Sequence, residues 1–197
     1  DRIEAQKDEL EERLGDARAK AIRLEREHEA AIAHAAQLKL SKAVKASGSA
    51  VKKADGKALS ARQRGAIVVR AALRWIGTPY SWGGGNADGP SYGIAHGSRI
   101  HGFDCSGLAL YAWDKVGVRL DHWTGTQWTS GPRIPLNRMV NGDLVFFARN
   151  TADPSTIHHV GIFIGKGRMV EAPYTGARVR TSSIWRRGLI GAVRPSV

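Results

Sequence analysis

The spacing of hydrophobic positions changes along the chain and divides it into three parts. From Leu10, the residues Leu10, Leu14, Ala17, Ala21, Leu24, His28, Ala31, Ala35 and Leu38 follow at steps of four and three, with Ile3 one heptad ahead. This is the a/d stripe of a coiled coil, and it predicts a long coiled-coil-like helix within residues 1–44. Ala fills four of the ten stripe positions and His one, while the flanks are dense in Glu, Arg and Lys. So thin a seam asks for a partner helix, which makes a coiled-coil protein partner an expectation for this segment. Residues 45–62 are Lys, Ala, Ser and Gly without an apolar period and read as a flexible basic linker.

Residues 63–197 read as a folded domain. Gln63–Ile76 places Ile67, Val68, Ala71, Ala72 and Trp75 on one side of a helix, which Gly77-Thr78-Pro79 terminates. A glycine-rich loop runs from Gly83 to Gly102. The run Ser106–Val116 predicts a second helix, with Leu108, Ala112 and Val116 on one face and Gly117 as its stop. Strand-like runs follow at Asp143–Ala148, His159–Ile164 and Arg168–Ala172, and a further one at Leu189–Arg194. Helices followed by an antiparallel sheet make an α+β domain.

Composition sharpens the boundary. The first 62 residues contain no Trp, Tyr, Phe, Pro or Cys, whereas the remaining 135 hold all six Trp, all seven Pro and the single Cys. Charge divides unevenly as well, with 14 Lys/Arg against 11 Asp/Glu before the boundary and 16 against 7 after it, so +9 of the net +12 falls on the folded part. Such a field favours an anionic partner: nucleic acid, anionic lipid, or the carboxylate- and phosphate-rich polymers of a bacterial wall. Charge alone supports no specific nucleic-acid role. One cysteine excludes an intramolecular disulfide framework and a multi-cysteine zinc site, and the reading calls for no metal and no cofactor. No apolar run reaches the roughly 18 residues of a transmembrane span, and the chain opens at Asp1 without a basic-then-apolar leader. The expectation is an export signal that is absent or already removed.

Cys105 stands where the glycine-rich loop turns into the second helix, in Gly102-Phe103-Asp104-Cys105-Ser106-Gly107-Leu108. At a helix N-terminus, unpaired N–H groups and the positive end of the macrodipole favour a thiolate, and the same groups can stabilise an oxyanion. A base is needed beside it. Of the pair His158-His159, His159 joins the regular strand Val160-Gly161-Ile162-Phe163-Ile164, so the pleat fixes its direction, whereas His158 ends an irregular loop. The base is therefore assigned to His159. Glu171 is the only glutamate after Glu29 and sits in the apolar run Met169-Val170-Glu171-Ala172, where a carboxylate needs a partner. Hairpin parity leaves its side open. A three-residue turn at Gly165-Lys166-Gly167 puts Glu171 on the face of His159, and a two-residue Lys-Gly turn puts it on the other.

Four motifs carry a family resemblance: Pro79-Tyr80-Ser81-Trp82-Gly83-Gly84, Phe103-Asp104-Cys105-Ser106-Gly107-Leu108, Gly142-Asp143-Leu144-Val145-Phe146-Phe147, and His159-Val160-Gly161-Ile162-Phe163-Ile164-Gly165. In this order they resemble the NlpC/P60 family of cell-wall cysteine peptidases, over about residues 64–195. The resemblance implies a papain-like α+β fold and a secreted or wall-associated enzyme that hydrolyses amide bonds in the stem peptides of bacterial peptidoglycan, commonly between D-glutamate and the diamino acid. It places the nucleophile on Cys105, the base on His159 and the third polar residue on Glu171. By the same resemblance the Tyr80 hydroxyl assists the oxyanion, and Asp104 and Ser106 shape the substrate site, although Asp104 serves equally as a helix cap. The same thiol chemistry would suit an amidase or acyltransferase, and a domain without turnover would be a wall-binding or coiled-coil adaptor. The segment from Gly85 to Gly102, with His96, Arg99 and His101, exceeds the family minimum and reads as a mobile insertion rather than a cleft rim.

Overall fold

A computed structural model describes residues 59–196. The heptad segment 1–44 and residues 45–58 of the linker lie outside the described residues, and the last linker residues, Ala61 and Arg62, are helical.

Helix α1 spans Ala61–Leu73 and starts two residues earlier than the hydrophobic pattern suggests. Its start is set by a capping box: the Ser60 hydroxyl accepts from the Gln63 N–H at 3.3 Å, and the Gln63 side chain accepts from the Ser60 N–H at 2.9 Å. The face that carries Val68, Val69, Ala72 and Leu73 is buried. Helix α2 spans Cys105–Asp114, with Asp104 as its N-cap, and buries Leu108, Ala109, Tyr111, Ala112 and Trp113. The two helices pack on each other, and both reach a central strand of the sheet. A one-turn helix α3, Thr124–Gln127, completes the helical part.

Ser91–Tyr92 (β1) and His101–Gly102 (β2) form a two-stranded ribbon within the glycine-rich segment. The main sheet contains β3 (Arg133–Ile134), β4 (Leu144–Ala148), β5 (Ile157–Gly165), β6 (Arg168–Glu171), β7 (Arg180–Ser183) and β8 (Leu189–Val193), in the antiparallel order β3-β8-β4-β5-β6-β7. Every residue of β4 is buried, as its unbroken apolar run predicts for a strand covered on both faces. The edge strands β3 and β7 were not legible, because they are short and β7 reads Arg-Thr-Ser-Ser, with no apolar alternation. Val145, Phe147, Phe163, Met169 and Ile184 form a buried cluster against which Met139 and Leu189 lean. The architecture is thus α+β, as expected.

The β5–β6 hairpin resolves the parity question by combining both alternatives. Its closing pair is Gly165–Arg168 around a two-residue turn, Lys166-Gly167, with φ of 51° and 68°. A turn with two positive φ values twists as a hairpin requires. On its own it would send Glu171 to the wrong face. A register shift between Phe163 and Gly165 inserts one residue, after which Phe163 pairs with Met169 and Ile162 with Val170. The bulge restores the parity, and Glu171 returns to the face of His159.

The Gly85–Gly102 segment is built into the domain, which corrects the expectation of a mobile insertion. The Ser81 hydroxyl donates to the carbonyls of Gly97 (3.1 Å) and Ile100 (2.7 Å), and the Ile94 N–H donates to the Trp82 carbonyl at 2.8 Å. Glycine allows the close approach: a Cβ on Gly102 would lie 2.0 Å from the Pro79 carbonyl oxygen. Its imidazoles meet rings, His96 against Trp82 at 5.5 Å and His101 against Tyr92 at 5.2 Å.

Candidate active site

Three elements converge on one thiol. Cys105 is the first residue of α2, His159 lies within β5 and Glu171 closes β6. Cys105 is partly exposed, whereas His159 and Glu171 are buried, at 6% and 1% exposure. The His159 Nε2 lies 2.6 Å from Glu171 Oε2. That contact leaves Nδ1 as the nitrogen available to Cys105, whose side chain also hydrogen-bonds the imidazole. Burial alone pulls the imidazole pKa down. The hydrogen bonds to Cys105 and Glu171, together with their charges, outweigh it and raise the value to about 9. At neutral pH this ring is an imidazolium.

The Glu171 carboxylate is surrounded by donors. Besides His159, Oε2 accepts from Arg186 Nη2 at 2.8 Å. Oε1 accepts from the Ser182 hydroxyl at 2.9 Å, from Arg186 Nη1 at 3.2 Å and from Arg180 Nε at 3.4 Å. Burial would raise the carboxyl pKa, but the hydrogen bonds and charges of His159 and Arg186 hold it far below the usual carboxylate range. Arg180 and Ser182 reach it because β7 pairs Glu171 with Arg180 and Met169 with Ser182, so alternate residues of β7 share its face.

On the other side of the thiol, Asp104 ties the cleft together. Its Oδ1 accepts from the Gly107 N–H (2.7 Å), the Ser106 hydroxyl (3.1 Å) and His122 Nε2 (2.9 Å), while Oδ2 accepts from the Gly83 N–H (2.9 Å). Asp104 is therefore a cap that also fastens the Trp82-Gly83-Gly84 turn beside Cys105. Its hydrogen bond raises the His122 pKa against the opposing effect of burial. Ser106 is buried, with its carbonyl accepting from Gln127 Nε2 at 2.9 Å. Tyr80 is also buried, and Ser81, the next residue, donates its N–H to the Phe103 carbonyl. Burial raises the Tyr80 pKa most, followed by the negative charges of Cys105 and Asp104, so its hydroxyl keeps its proton close to both.

The other five site residues singled out in the sequence, Tyr80, Asp104, Ser106, His159 and Glu171, thus lie in the network around Cys105. Sequence reasoning missed Arg186, Arg180 and Ser182 around Glu171, and His122 and Gln127 around Asp104 and Ser106. One signal was present for the first group: a lone glutamate in an apolar strand demands a cation, and the domain is rich in arginine. Among the described residues no group of His, Cys, Asp and Glu is arranged to hold a metal ion.

The family model described as NlpC/P60 family matches residues 77–194. Peptidoglycan endopeptidase RipA of Mycolicibacterium smegmatis is 47% identical over 122 residues, which are 62% of this chain and 24% of that protein. The solved structure of the peptidoglycan hydrolase RipB from Mycobacterium tuberculosis is 32% identical and superposes with a TM-score of 0.63, covering 83% of each chain. RipD of the same organism is described as a non-catalytic NlpC/p60 domain protein adapted to peptidoglycan binding. It is 30% identical with a TM-score of 0.60, covering 68% of this chain and 98% of that one. The chain spans a minor part of the RipA relative's length.

Proposed function

The chain belongs to the NlpC/P60 family, and from that premise we propose that residues 59–196 are a cysteine peptidase domain that hydrolyses amide bonds in peptidoglycan stem peptides at the bacterial cell wall. The observation that carries the reading is the line from Cys105 through His159 to a fully buried, ionised Glu171. The Cys105 thiolate attacks the amide carbonyl carbon, and the carbonyl oxygen takes the negative charge. The first-turn N–H groups of Cys105 and Ser106 and the Tyr80 hydroxyl stabilise that oxyanion. As the C–N bond breaks, Nδ1–H of the His159 imidazolium protonates the leaving amine, which yields a thioester. The neutral imidazole then takes a proton from water, hydroxide adds to the thioester, and the thiolate leaves as the new carboxyl terminus forms. Glu171 holds Nε2–H throughout, fixing the ring so that Nδ1 faces the sulfur. Asp104 and Ser106 shape the adjoining substrate site, and the scissile bond is the one between D-glutamate and the diamino acid.

Similarity to RipD raises a second reading, a wall-binding module without turnover. The arrangement of Cys105, His159 and Glu171 favours hydrolysis. Digestion of purified muropeptides with mass detection of the new termini distinguishes these readings and identifies the bond cut. Turnover by the wild type and none by Cys105→Ala is expected, and binding without cleavage by both proteins would replace the peptidase with the module.

A further inference from the structure

The buried carboxylate is met by three cationic side chains, His159, Arg186 and Arg180, and Arg186 has no part in the mechanism above. Arg186 lies between β7 and β8, outside every motif of the sequence. Its guanidinium rests over the Phe147 ring, 4.2 Å from the centroid, and that ring in turn lies 5.8 Å from His159. From there it grips Glu171 with two nitrogens, at 3.2 Å to Oε1 and 2.8 Å to Oε2. The fork fixes the plane of the carboxylate. The same oxygen, Oε2, receives His159 at 2.6 Å.

We propose that Arg186 is a positioning residue of the Cys–His–Glu centre, which aims the Glu171 carboxylate at His159 and, by sharing that carboxylate with the imidazole, sets how tightly His159 holds its proton. This proposal rests on the thiol-hydrolase reading for its meaning, though not for its test.

Charge balance explains why a second cation is needed. With the thiolate and imidazolium formed, the centre runs thiolate, imidazolium, carboxylate, guanidinium, and its charges cancel in pairs. When His159 gives its proton to the leaving amine, Glu171, with a side chain 0% exposed, would without Arg186 be left with Arg180 at 3.4 Å as its cation and with no charged partner on Oε2. Such a group takes up a proton or withholds one from its neighbour. Arg186 keeps it compensated at either protonation state of the imidazole. The guanidinium also draws part of the carboxylate's field away from His159, so the ring releases its proton more readily than it would beside Glu171 alone. The other groups whose charge or hydrogen bonding reaches this pair are Cys105 on α2, Arg180 and Ser182 on β7, and the neighbouring His158 on β5. Arg180 is the weaker partner, at 3.4 Å through Nε alone. A second carboxylate, Asp143, is gripped by Arg194 at 2.7 and 2.8 Å with no imidazole attached. A fork of this kind is therefore structural by itself, and the shared Oε2 is what gives Arg186 a further role.

The test is the rate of alkylation of Cys105 by iodoacetamide across pH, which reads the thiolate–imidazolium pair without any substrate. Wild type, Arg186→Met, Arg186→Gln and Arg186→Lys are compared, with a melting curve for each. In the Met and Gln variants the upper step, where the imidazolium loses its proton, is expected to move up by about 0.5–1 pH unit. The Lys variant keeps the charge and is expected to return the step to near its wild-type position. On muropeptides the Met and Gln variants should lose kcat more than they raise KM. An unmoved upper step in a cooperatively melting Met or Gln variant overturns the proposal, as does a Lys variant that behaves like Met. Absence of muropeptide turnover in the wild type, with the step shifting as expected, would instead count against the peptidase reading alone.

Discussion

Replacing Glu171 by Gln removes one charge and almost no volume, and five donor contacts from four side chains converge on the site it perturbs. The Gln carbonyl oxygen can satisfy either the Arg186 and Ser182 side or the His159 side, but not both. If it faces Arg186, its NH2 group points at His159 Nε2 and requires that nitrogen to accept. The ring proton then sits on Nδ1, and the imidazolium loses its counter-charge. The His159 pKa should therefore fall from about 9 towards its ordinary value. By analogy with other triads in which the acid becomes an amide, kcat drops by about 10²–10⁴-fold. This loss remains smaller than that of His159→Ala, which removes the proton carrier itself. Stability falls too. An unpaired partner of a fully buried ion pair costs about 3–5 kcal/mol, but the Arg186 side chain is 35% exposed and water screens it, so about 1–3 kcal/mol is expected. For a domain of this size that lowers the melting temperature by roughly 3–10 °C. The assay is the pH dependence of kcat/KM on a purified muropeptide, together with a thermal melt. A Gln variant within a few-fold of wild type, with an unmoved alkaline limb, would refute the assignment of Glu171 as the group that orients and charges His159.

Because the imidazolium is stabilised in the folded state, its contribution is complete below the ordinary value near 6.5 and fades as pH rises through about 9, so thermal melts should show the wild type losing stability over that window relative to His159→Gln. Tyr80→Phe removes the proposed oxyanion donor from a side chain that is 5% exposed, and a fall in kcat of about 10²-fold with little change in KM is expected from steady-state kinetics. A pure KM effect would assign the hydroxyl to substrate binding instead. Gly102→Ala drives a methyl group to 2.0 Å from the Pro79 carbonyl oxygen, so the backbone that joins the Tyr80 and Cys105 segments must part, and denaturant melts should register a loss of about 1–3 kcal/mol.

Positions were more legible than partners. Cys105 at a helix start, His159 in an apolar strand and Glu171 alone in an apolar run each announce themselves locally, because burying or aligning such groups needs a reason. Arg186 does not, since it is one arginine among many, and its partner is selected by the path of the β7–β8 connection. The hairpin carries the same lesson. Both a two-residue and a three-residue turn suit Gly165-Lys166-Gly167, and the bulge at Phe163–Gly165 that sets the side of Glu171 leaves no mark in residue type beyond another glycine. The glycine-rich insertion at 85–102 reads as mobile because it is longer than the family minimum. Several of those glycines instead admit close backbone contacts, and Ser81 supplies the hydrogen bonds that bind the loop to the domain.

The role of residues 1–62 is open to a direct experiment, provided the cut is made in the right place. Composition puts the boundary after Arg62, but α1 begins at Ala61 and its cap is Ser60, whose hydroxyl and N–H both engage Gln63. A fragment starting at residue 63 loses the cap and the first helical residues, a cost of about 0.5–2 kcal/mol that would pass for an effect of the missing segment. It also loses the N-terminal anchor of the helix that packs on α2, the element that carries Cys105. A fragment starting at residue 59 or a few residues earlier keeps the box intact. We expect this longer fragment to match the full chain on small soluble muropeptides, because a heptad seam suits recruitment to a partner helix rather than occlusion of a cleft. It should fall behind the full chain only where that partner is present. A several-fold rise in kcat/KM on truncation at residue 59, with an unchanged melting temperature, would show that the N-terminal segment restrains the enzyme. A change confined to the fragment starting at 63 would trace to Ser60.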